Sequence, residues 1–505
     1  MTSPGAGPGR WLAWLPGLVA LASRGSALGC GFAMDDAYNI VDNPEIRSLP
    51  AALGAAGHAL SAQGDGWTAG LNAAYWRPVA TFSWAVDYAL WGLQPTAFHA
   101  GNLLLHAATA LVLGATIRAL QVHAVPAALV ACWWAAHAVH SETVTLVTYR
   151  TELLAGLCMV AAMHQAASRD DGGRPWLLAA LFGLGLGAKE SAASLPLLWA
   201  AVAWTRRLQR EVAGGVPSTR AAWLRARAPA VLAMVGVAGA WWLVRAQLAQ
   251  ATSLPFFGAL SPGRTLLSSV AVAGKEASWL LWPWPLAPFW DQTMLPPVLS
   301  WAQAELWAGI AWLVVLVLGL SAWPRQPLLG LGAALWIGAK LPTSQLIPLP
   351  VGAAERFAYV ASIGAACALA WALQRAWVEQ PGTEQTADAA RRRRAVWALG
   401  AWIATLGALS ATRALDFRDD DTLTAATVRD HPDGFNGWFL LGKRALARGD
   451  AFGAARALDR AATILPGFLP NERLRAEAWR AAGDPARAAT IEADLAPAEA
   501  EDPGR

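Results

Sequence analysis

Long apolar segments recur along almost the whole chain, and they constrain its fold more than any other feature. Hydrophobic residues make up 55% of the 505 residues, charged residues make up only 15%, and the mean hydropathy is +0.34. A soluble chain carries about 25% charged residues, whereas a helix that spans a bilayer needs about 20 mostly apolar residues. Backbone polar groups inside a bilayer must be paired within the protein, which favours helices. We therefore predict an all-α, polytopic membrane protein with about 11 spans, at 9–29, 100–118, 124–140, 152–168, 175–188, 191–205, 228–248, 303–322, 327–341, 356–374 and 395–413.

Arginine placement predicts the orientation of these spans. Loops with clustered arginines, such as 206–227 and 391–394, alternate with loops that carry isolated basic residues. The positive-inside rule assigns the clusters and the N-terminus to the cytoplasm. We expect the first segment to be a retained helix rather than a cleaved signal, because Arg24 interrupts its apolar run. An odd number of spans then places a first loop of about 30–99 and the C-terminal tail on the same non-cytoplasmic side.

One further apolar stretch, 265–290, differs from the eleven spans. It contains Lys275, Glu276 and a Trp-Pro-Trp-Pro break at 282–285. Broken backbone at membrane depth requires protein or water around it. We read the stretch as re-entrant or interfacial, since a full crossing would turn the arginines of 391–394 outward.

The composition becomes soluble and rich in Ala and Arg after residue 414. Residues 431–468 show the small/large spacing of a tetratricopeptide repeat, and a degenerate helix pair follows at 471–495. The expected division is a membrane domain over 1–413, a linker over 414–430 and a repeat-like helical domain over 431–498. This last domain is either a docking surface for a partner or a generic helical cap. The repeat spacing rests on Trp438, Leu441, Gly442, Ala447, Ala454, Ala461 and Pro466.

Polar residues concentrate in five patches, all at the non-cytoplasmic ends of the predicted spans. Charged groups next to lipid are costly and usually functional. Transfer of a sugar from a polyprenyl phosphate to a hydroxyl needs a carboxylate to take the proton and cations to hold the departing phosphate. The patches supply both groups. The candidate acid/base residues are Asp35 and Asp36, with either one as the base, and the candidate phosphate ligands are Arg150, Lys189 and Arg356. The candidates to orient these groups or the sugar are His99, His140 and Glu142. Arg77 is a candidate to pair with an aspartate or to touch the phosphate.

Simpler interpretations stand beside these assignments. Lys189 and Glu190 are neighbours that could form a plain salt bridge, and Glu355 with Arg356 could be an ion pair at a helix start. Two carboxylates alone are weak evidence for a divalent cation, so no metal ligand is assigned. The chain lacks the basic-plus-aromatic pattern of nucleic-acid binding.

Five ordered motifs resemble one known family. They are MDDAYNIVDNPEI (34–46), YWRPVATFSWAVDYALWGLQPTAFHAGNLLLHA (75–107), HAVHSETVTLVTYRTELLA (137–155), AKESAASLPLL (188–198) and AAERFAYVASIG (353–364). Together they look like the transmembrane and tetratricopeptide-repeat-containing O-mannosyltransferases, which are glycosyltransferases of the GT-C fold. The resemblance places the family's acidic pair on Asp35 and Asp36 and its HisGlu loop on His140 and Glu142. It places the loop arginine on Arg150, the LysGlu pair on Lys189 and Glu190, and the GluArg pair on Glu355 and Arg356.

The resemblance implies a polyprenyl-phosphate-linked sugar donor, with mannose as the sugar, and an inverting transfer to a protein or envelope-glycan hydroxyl. The sequence departs from the family at Ala138, where relatives have proline, and in its much shorter repeat tail. The Arg-rich, Lys-poor composition favours a bacterial inner membrane with a periplasmic site. The rival interpretations are a non-catalytic scaffold or lipid-handling protein, and a transporter, which usually has repeated halves and charges near the bilayer midplane.

Overall fold

The computed structural model describes residues 11–57, 75–215, 219–248, 256–258, 260–288, 290–346, 349–378 and 385–501. These residues form twenty α-helices and several short 3₁₀ turns, and no strand occurs among them. The helices are α1 (Leu15–Arg24), α2 (Leu49–Gly54), α3 (Pro78–Trp91), α4 (Pro95–Ala119), α5 (Ala124–Ala136), α6 (Ser141–Thr145), α7 (Arg150–Ser168), α8 (Pro175–Ala188), α9 (Leu195–Val212), α10 (Arg220–Leu248), α11 (Pro262–Leu281), α12 (Ala304–Ala322), α13 (Pro327–Lys340), α14 (Ala358–Trp377), α15 (Gln385–Asp416), α16 (Asp420–Asp430), α17 (Phe435–Ala447), α18 (Ala451–Ile464), α19 (Leu469–Ala481) and α20 (Pro485–Glu501). The predicted all-α class is confirmed.

The predicted spans fall largely on these helices, but fewer of them qualify as crossings by length and composition. Five described segments are long and apolar enough to span a bilayer, namely α4, α10, α12, α15 and α14 together with its preceding turn. The pair Ala138–Thr145 and Val147–Ser168, bent by 99°, would count as a sixth span. The helices on the other expected spans are 10 to 19 residues long. Several apolar helices thus suggest a membrane protein, and eleven crossings stays a prediction.

Large apolar side chains remain exposed on two of the long helices. On α10, Leu232 and Trp242 are 70% and 63% exposed; on α12, Val317 and Leu318 are 63% and 61% exposed. A contiguous apolar surface of this kind marks contact with a membrane or a protein partner.

The stretch that we expected to be re-entrant or interfacial is helical over most of its length, and its placement relative to a membrane stays a prediction. α11 runs unbroken from Pro262 to Leu281, and the Trp-Pro-Trp-Pro break follows its last residue. It packs against α12 where Gly274 faces Gly309, so closely that a Cβ at either position would meet the other helix's backbone within 3 Å. The missing side chains are what permit this close approach.

The C-terminal region continues in helices through 414–430, the segment predicted to be a linker, and the predicted division into domains stays a prediction. Residues 414–430 contain the end of α15 and all of α16. Beyond them α17 packs with α18, and α19 packs with α20, around a core that includes Leu458, Trp479 and Ile491. The two expected helix pairs are present, and their identity as tetratricopeptide repeats stays a prediction.

Candidate active site

One cavity of about 590 Å³ collects polar residues from six distant parts of the chain. Its walls come from the acidic loop (residues 30–48), the start of α3, the turn before α7, the turn between α8 and α9, the end of α10 and the segment between α13 and α14. Five predicted site residues line it: Asp35, Arg77, Lys189, Glu190 and Arg356. The remainder of the wall is largely apolar and includes Trp241, Leu341, Pro342 and Val351. The cavity therefore offers a charged end and an apolar side to one ligand.

The two adjacent aspartates have different environments. Asp35 lines the cavity, and the hydroxyl of Tyr149 donates to its Oδ2 atom over 3.4 Å. The Asp35 carboxylate also accepts a hydrogen bond from Tyr38, whose pKa is raised by burial and which therefore stays a neutral donor. These two hydroxyls orient Asp35 and leave it facing open space.

Asp36 points the other way and is 1% exposed. Its carboxylate accepts backbone N–H groups from Thr148 at 2.7 Å, Val147 at 3.3 Å and Ala33 at 3.3 Å. Burial raises the pKa of Asp36 to about 7, although these hydrogen bonds act in the opposite direction. Asp36 thus ties the acidic loop to the turn before α7, and only Asp35 is presented to a ligand.

The cations around the cavity are paired across the fold and not with their sequence neighbours. Lys189 Nζ lies 2.6 Å from Oε1 of Glu152, and Arg77 lies 3.0 Å from Oε2 of Glu190. Arg245 lies 3.3 Å from the other oxygen of Glu190. The simple Lys189–Glu190 salt bridge is therefore not what the structure contains. Since each ammonium or guanidinium has several N–H donors, these cations keep capacity for a ligand.

Burial and the neighbouring opposite charges shift the pKa values of Lys189 and Glu190 in opposite directions. Burial lowers the pKa of Lys189, with Glu152 raising it in part. Burial alone would raise the pKa of Glu190, but Arg77 and Arg245 bring it below its ordinary value. Glu190 is thus an anion that holds two cations in place.

Arg356 is held by Glu142, which lies in the loop whose His140 and Glu142 were predicted to belong to the site. Both carboxylate oxygens of Glu142 contact Arg356: Oε2 accepts its backbone N–H over 2.8 Å, and Oε1 contacts its guanidinium. Glu355 instead forms an ion pair of 2.7 Å with Arg413 of α15. The alternative of a Glu355–Arg356 ion pair at the helix start is not seen; these two longer-range pairs form instead, and neither carboxylate lies in the cavity wall.

Two predicted histidines also lie outside the cavity wall. His99 Nε2 lies 3.1 Å from the carbonyl oxygen of Gly31. His140 is fully buried, with its ring centroid 4.8 Å from that of Trp134. These two histidines are placed to support the acidic loop and the helix packing, and the structure gives them no access to a ligand in this cavity.

Arg150 was predicted as a phosphate ligand, and its surroundings argue against that role. Its guanidinium pairs with Asp87 at 2.5 Å, donates to Asn102 Oδ1 over 2.8 Å and donates to the carbonyl of Phe98 over 2.8 Å. All three partners lie on α3 and α4, and the residue is 2% exposed. Arg150 therefore clamps α3 and α4 to α7, and its role as a phosphate ligand stays a prediction.

Sequence reasoning missed the contribution of α10. Trp241 and Arg245, four residues apart on one helical face, both line the cavity. An arginine near the end of an apolar segment that was predicted to be non-cytoplasmic was the available signal. Among the described residues, no group of three or more His, Cys, Asp or Glu side chains could hold a metal ion.

The helices and the cavity together define a helical, membrane-type protein with a charged candidate site. No family model matches the chain, and no solved structure matches it. Similar proteins are known, however. The chain is 27% identical to human Protein O-mannosyl-transferase TMTC3 over 28% of its length, 31% identical to mouse Protein O-mannosyl-transferase TMTC1 over 31%, and 32% identical to Drosophila melanogaster Protein O-mannosyl-transferase Tmtc2 over 37%. The matched parts cover 15%, 17% and 21% of those relatives' own lengths.

Proposed function

We propose that this protein is a membrane glycosyltransferase that moves a sugar, with mannose as the first candidate, from a polyprenyl-phosphate donor to a hydroxyl group. The acceptor is a protein or an envelope glycan, and the site lies on the non-cytoplasmic face. Support comes from the similarity to proteins named O-mannosyl-transferases and from the apolar helices. The observation that carries the proposal is one cavity in which the carboxylate Asp35 faces a set of paired cations.

The chemistry assigns one role to each part of the cavity. Asp35 takes the proton of the acceptor hydroxyl while that oxygen forms a bond to C1 of the sugar. The bond between C1 and the phosphate oxygen breaks, and the electron pair leaves with the polyprenyl phosphate. Attack opposite the leaving group inverts the configuration at C1. Asp36 does not share the proton transfer in this scheme; it fixes the loop that presents Asp35.

Four cations receive the phosphate in this proposal, namely Arg77, Lys189, Arg245 and Arg356. Charge-assisted hydrogen bonds to phosphate are about twice as strong as neutral ones. They strengthen as the leaving group gains charge, which is how such a site lowers a barrier. The apolar wall near Trp241 and Leu341 is suited to the first isoprene units of the donor.

The matched pair Asp35→Asn and Asp42→Asn tests the proposal. Asp42 lies in the same acidic loop but is exposed and does not line the cavity. Membranes that contain each full-length variant receive polyprenyl phosphate [³H]mannose, and label transferred to the protein and glycolipid fractions is measured. We expect Asp35→Asn to lose at least about 100-fold of the transfer rate and Asp42→Asn to keep it. Equal rates in both variants would contradict the assignment, and a non-catalytic scaffold predicts that outcome.

A further inference from the structure

The acidic loop is held from the far end of the chain. The N–H of Gly31 donates to the carbonyl oxygen of Arg418 over 2.8 Å. The N–H of Met34 donates to Oδ1 of Asp420 over 2.6 Å, across 386 residues of sequence. The second oxygen of Asp420 lies 2.8 Å from a guanidinium nitrogen of Arg444 on α17. Asp420 therefore joins the loop that carries Asp35 to the first helix of the C-terminal tail.

Met34 is the point at which this connection acts on the loop. Its φ is +53°, so it adopts the left-handed conformation that residues other than glycine rarely occupy. Such a conformation is strained and persists only where the surroundings enforce it. Asp35 is the next residue, so the direction of its carboxylate depends on the same turn. The hydrogen bond to Asp420 is a specific contact that fixes the Met34 backbone.

Packing strengthens the same connection. Met34 and the buried Ala33 pack against Phe417 and Leu423, which flank Asp420, and against Tyr149, whose hydroxyl contacts Asp35. The region after the last predicted span is thus part of the wall behind the candidate base.

We infer that Asp420 is a positioning residue: through the Met34 backbone it holds Asp35 in the direction that proton transfer requires, and it connects this geometry to the helical tail. The inference rests on the proposed function, because it presupposes that Asp35 is the base. Asp420 touches no ligand. Its removal should lower the turnover rate and leave the binding of the donor phosphate unchanged.

Three variants at neighbouring positions test this role. Asp420→Ala removes the acceptor for the Met34 N–H. Asp420→Asn keeps an oxygen acceptor there and gives up the charge that faces Arg444. Asp421→Ala removes the ion pairs of Asp421 with Arg444 and Arg448 but has no contact with Met34. Transfer of [³H]mannose from polyprenyl phosphate [³H]mannose is measured in membranes with equal amounts of full-length protein, over a range of donor concentration.

We expect Asp420→Ala to lower the maximal rate about tenfold or more, in the range that a small misplacement of a catalytic group causes, with the donor KM within twofold of the parent protein. Asp420→Asn should keep at least half of the maximal rate, and Asp421→Ala should match the parent. A full rate in Asp420→Ala, an equal loss in Asp420→Asn, or a loss in Asp421→Ala would overturn the inference. Asp35→Asn is measured alongside: if it remains active, the proposed function itself fails, whereas an inactive Asp35→Asn with a fully active Asp420→Ala refutes only the role of Asp420.

Discussion

Replacing Glu142 by glutamine should separate the placing of Arg356 from the chemistry at Asp35. Glu142 is fully buried and holds Arg356 by two contacts, one to its backbone N–H and one to its guanidinium. Glutamine has nearly the same shape, so one oxygen still accepts the backbone N–H while the charge opposite the guanidinium is lost. A hydrogen bond to a charged group contributes about 1.5–3 kcal/mol and a neutral one about 1 kcal/mol, so the interaction that positions Arg356 weakens by about 0.5–2 kcal/mol in the variant.

That free energy corresponds to a change of about 2- to 30-fold, since 1.4 kcal/mol is a factor of ten. Because Arg356 is proposed to hold the phosphate in both the bound and the reacting donor, we expect most of the change in the donor KM. The assay is mannose transfer at varied donor concentration. The control is Glu211→Gln, which breaks an i,i+4 pair with Arg207 on α9, away from the cavity. An unchanged donor KM in Glu142→Gln, or the same change in the control, would refute this account of Arg356.

Three further variants probe other parts of the site. Arg245→Ala should raise the donor KM about tenfold, the loss of one charge-assisted hydrogen bond, in the same transfer assay; an unchanged KM would remove α10 from the phosphate site. Arg150→Met should lower the free energy of unfolding by about 3–5 kcal/mol, because it leaves Asp87 without its buried partner. The measurement is the midpoint of thermal unfolding of the detergent-solubilised protein, which should be lower in the variant. An unshifted midpoint would contradict the role of Arg150 in holding α3 and α4 against α7. The pKa of Asp36, about 7 in the folded protein and 3.8 ordinarily, means that the folded state binds more protons between these values. The stability that Asp36 contributes is therefore complete below about pH 4 and is lost as the pH rises to 7. The thermal midpoint of the parent protein should fall between pH 5 and pH 8, and Asp36→Asn should reduce that fall. The same fall of the midpoint in parent and variant would contradict the burial of an ionisable group there.

The helices were largely predictable because apolar runs of suitable length are visible in a single sequence. The segments that became α4, α12 and α15 show this directly, since each carries its own signal. The stretch 265–290 was set apart from the spans because of Lys275, Glu276 and the Trp-Pro-Trp-Pro break at 282–285, and its re-entrant or interfacial placement stays a prediction. In the structure α11 tolerates both residues; Glu276 reaches Lys340 on α13 over 2.6 Å. Composition alone does not reveal such a partner.

The cavity was predictable as a set of patches but not as a set of contacts. Side-chain direction depends on tertiary packing, so adjacency in sequence was a poor guide to pairing. Asp35 and Asp36 are neighbours with opposite environments, and Glu190 pairs with Arg77 and Arg245 rather than with Lys189. The role of Asp420 was invisible in the sequence because its contact to Met34 joins the two ends of the chain.

The most direct test of the central claim is a measurement of hydroxyl-linked hexose on envelope proteins and glycolipids. Mass spectrometry is applied to cells that lack this chain and to the same cells supplied with the parent protein, with Asp35→Asn or with Asp42→Asn. The account predicts that a hexose modification disappears without the chain, returns with the parent and with Asp42→Asn, and stays absent with Asp35→Asn. An unchanged set of modified proteins and lipids in all four, or full restoration by Asp35→Asn, would contradict it.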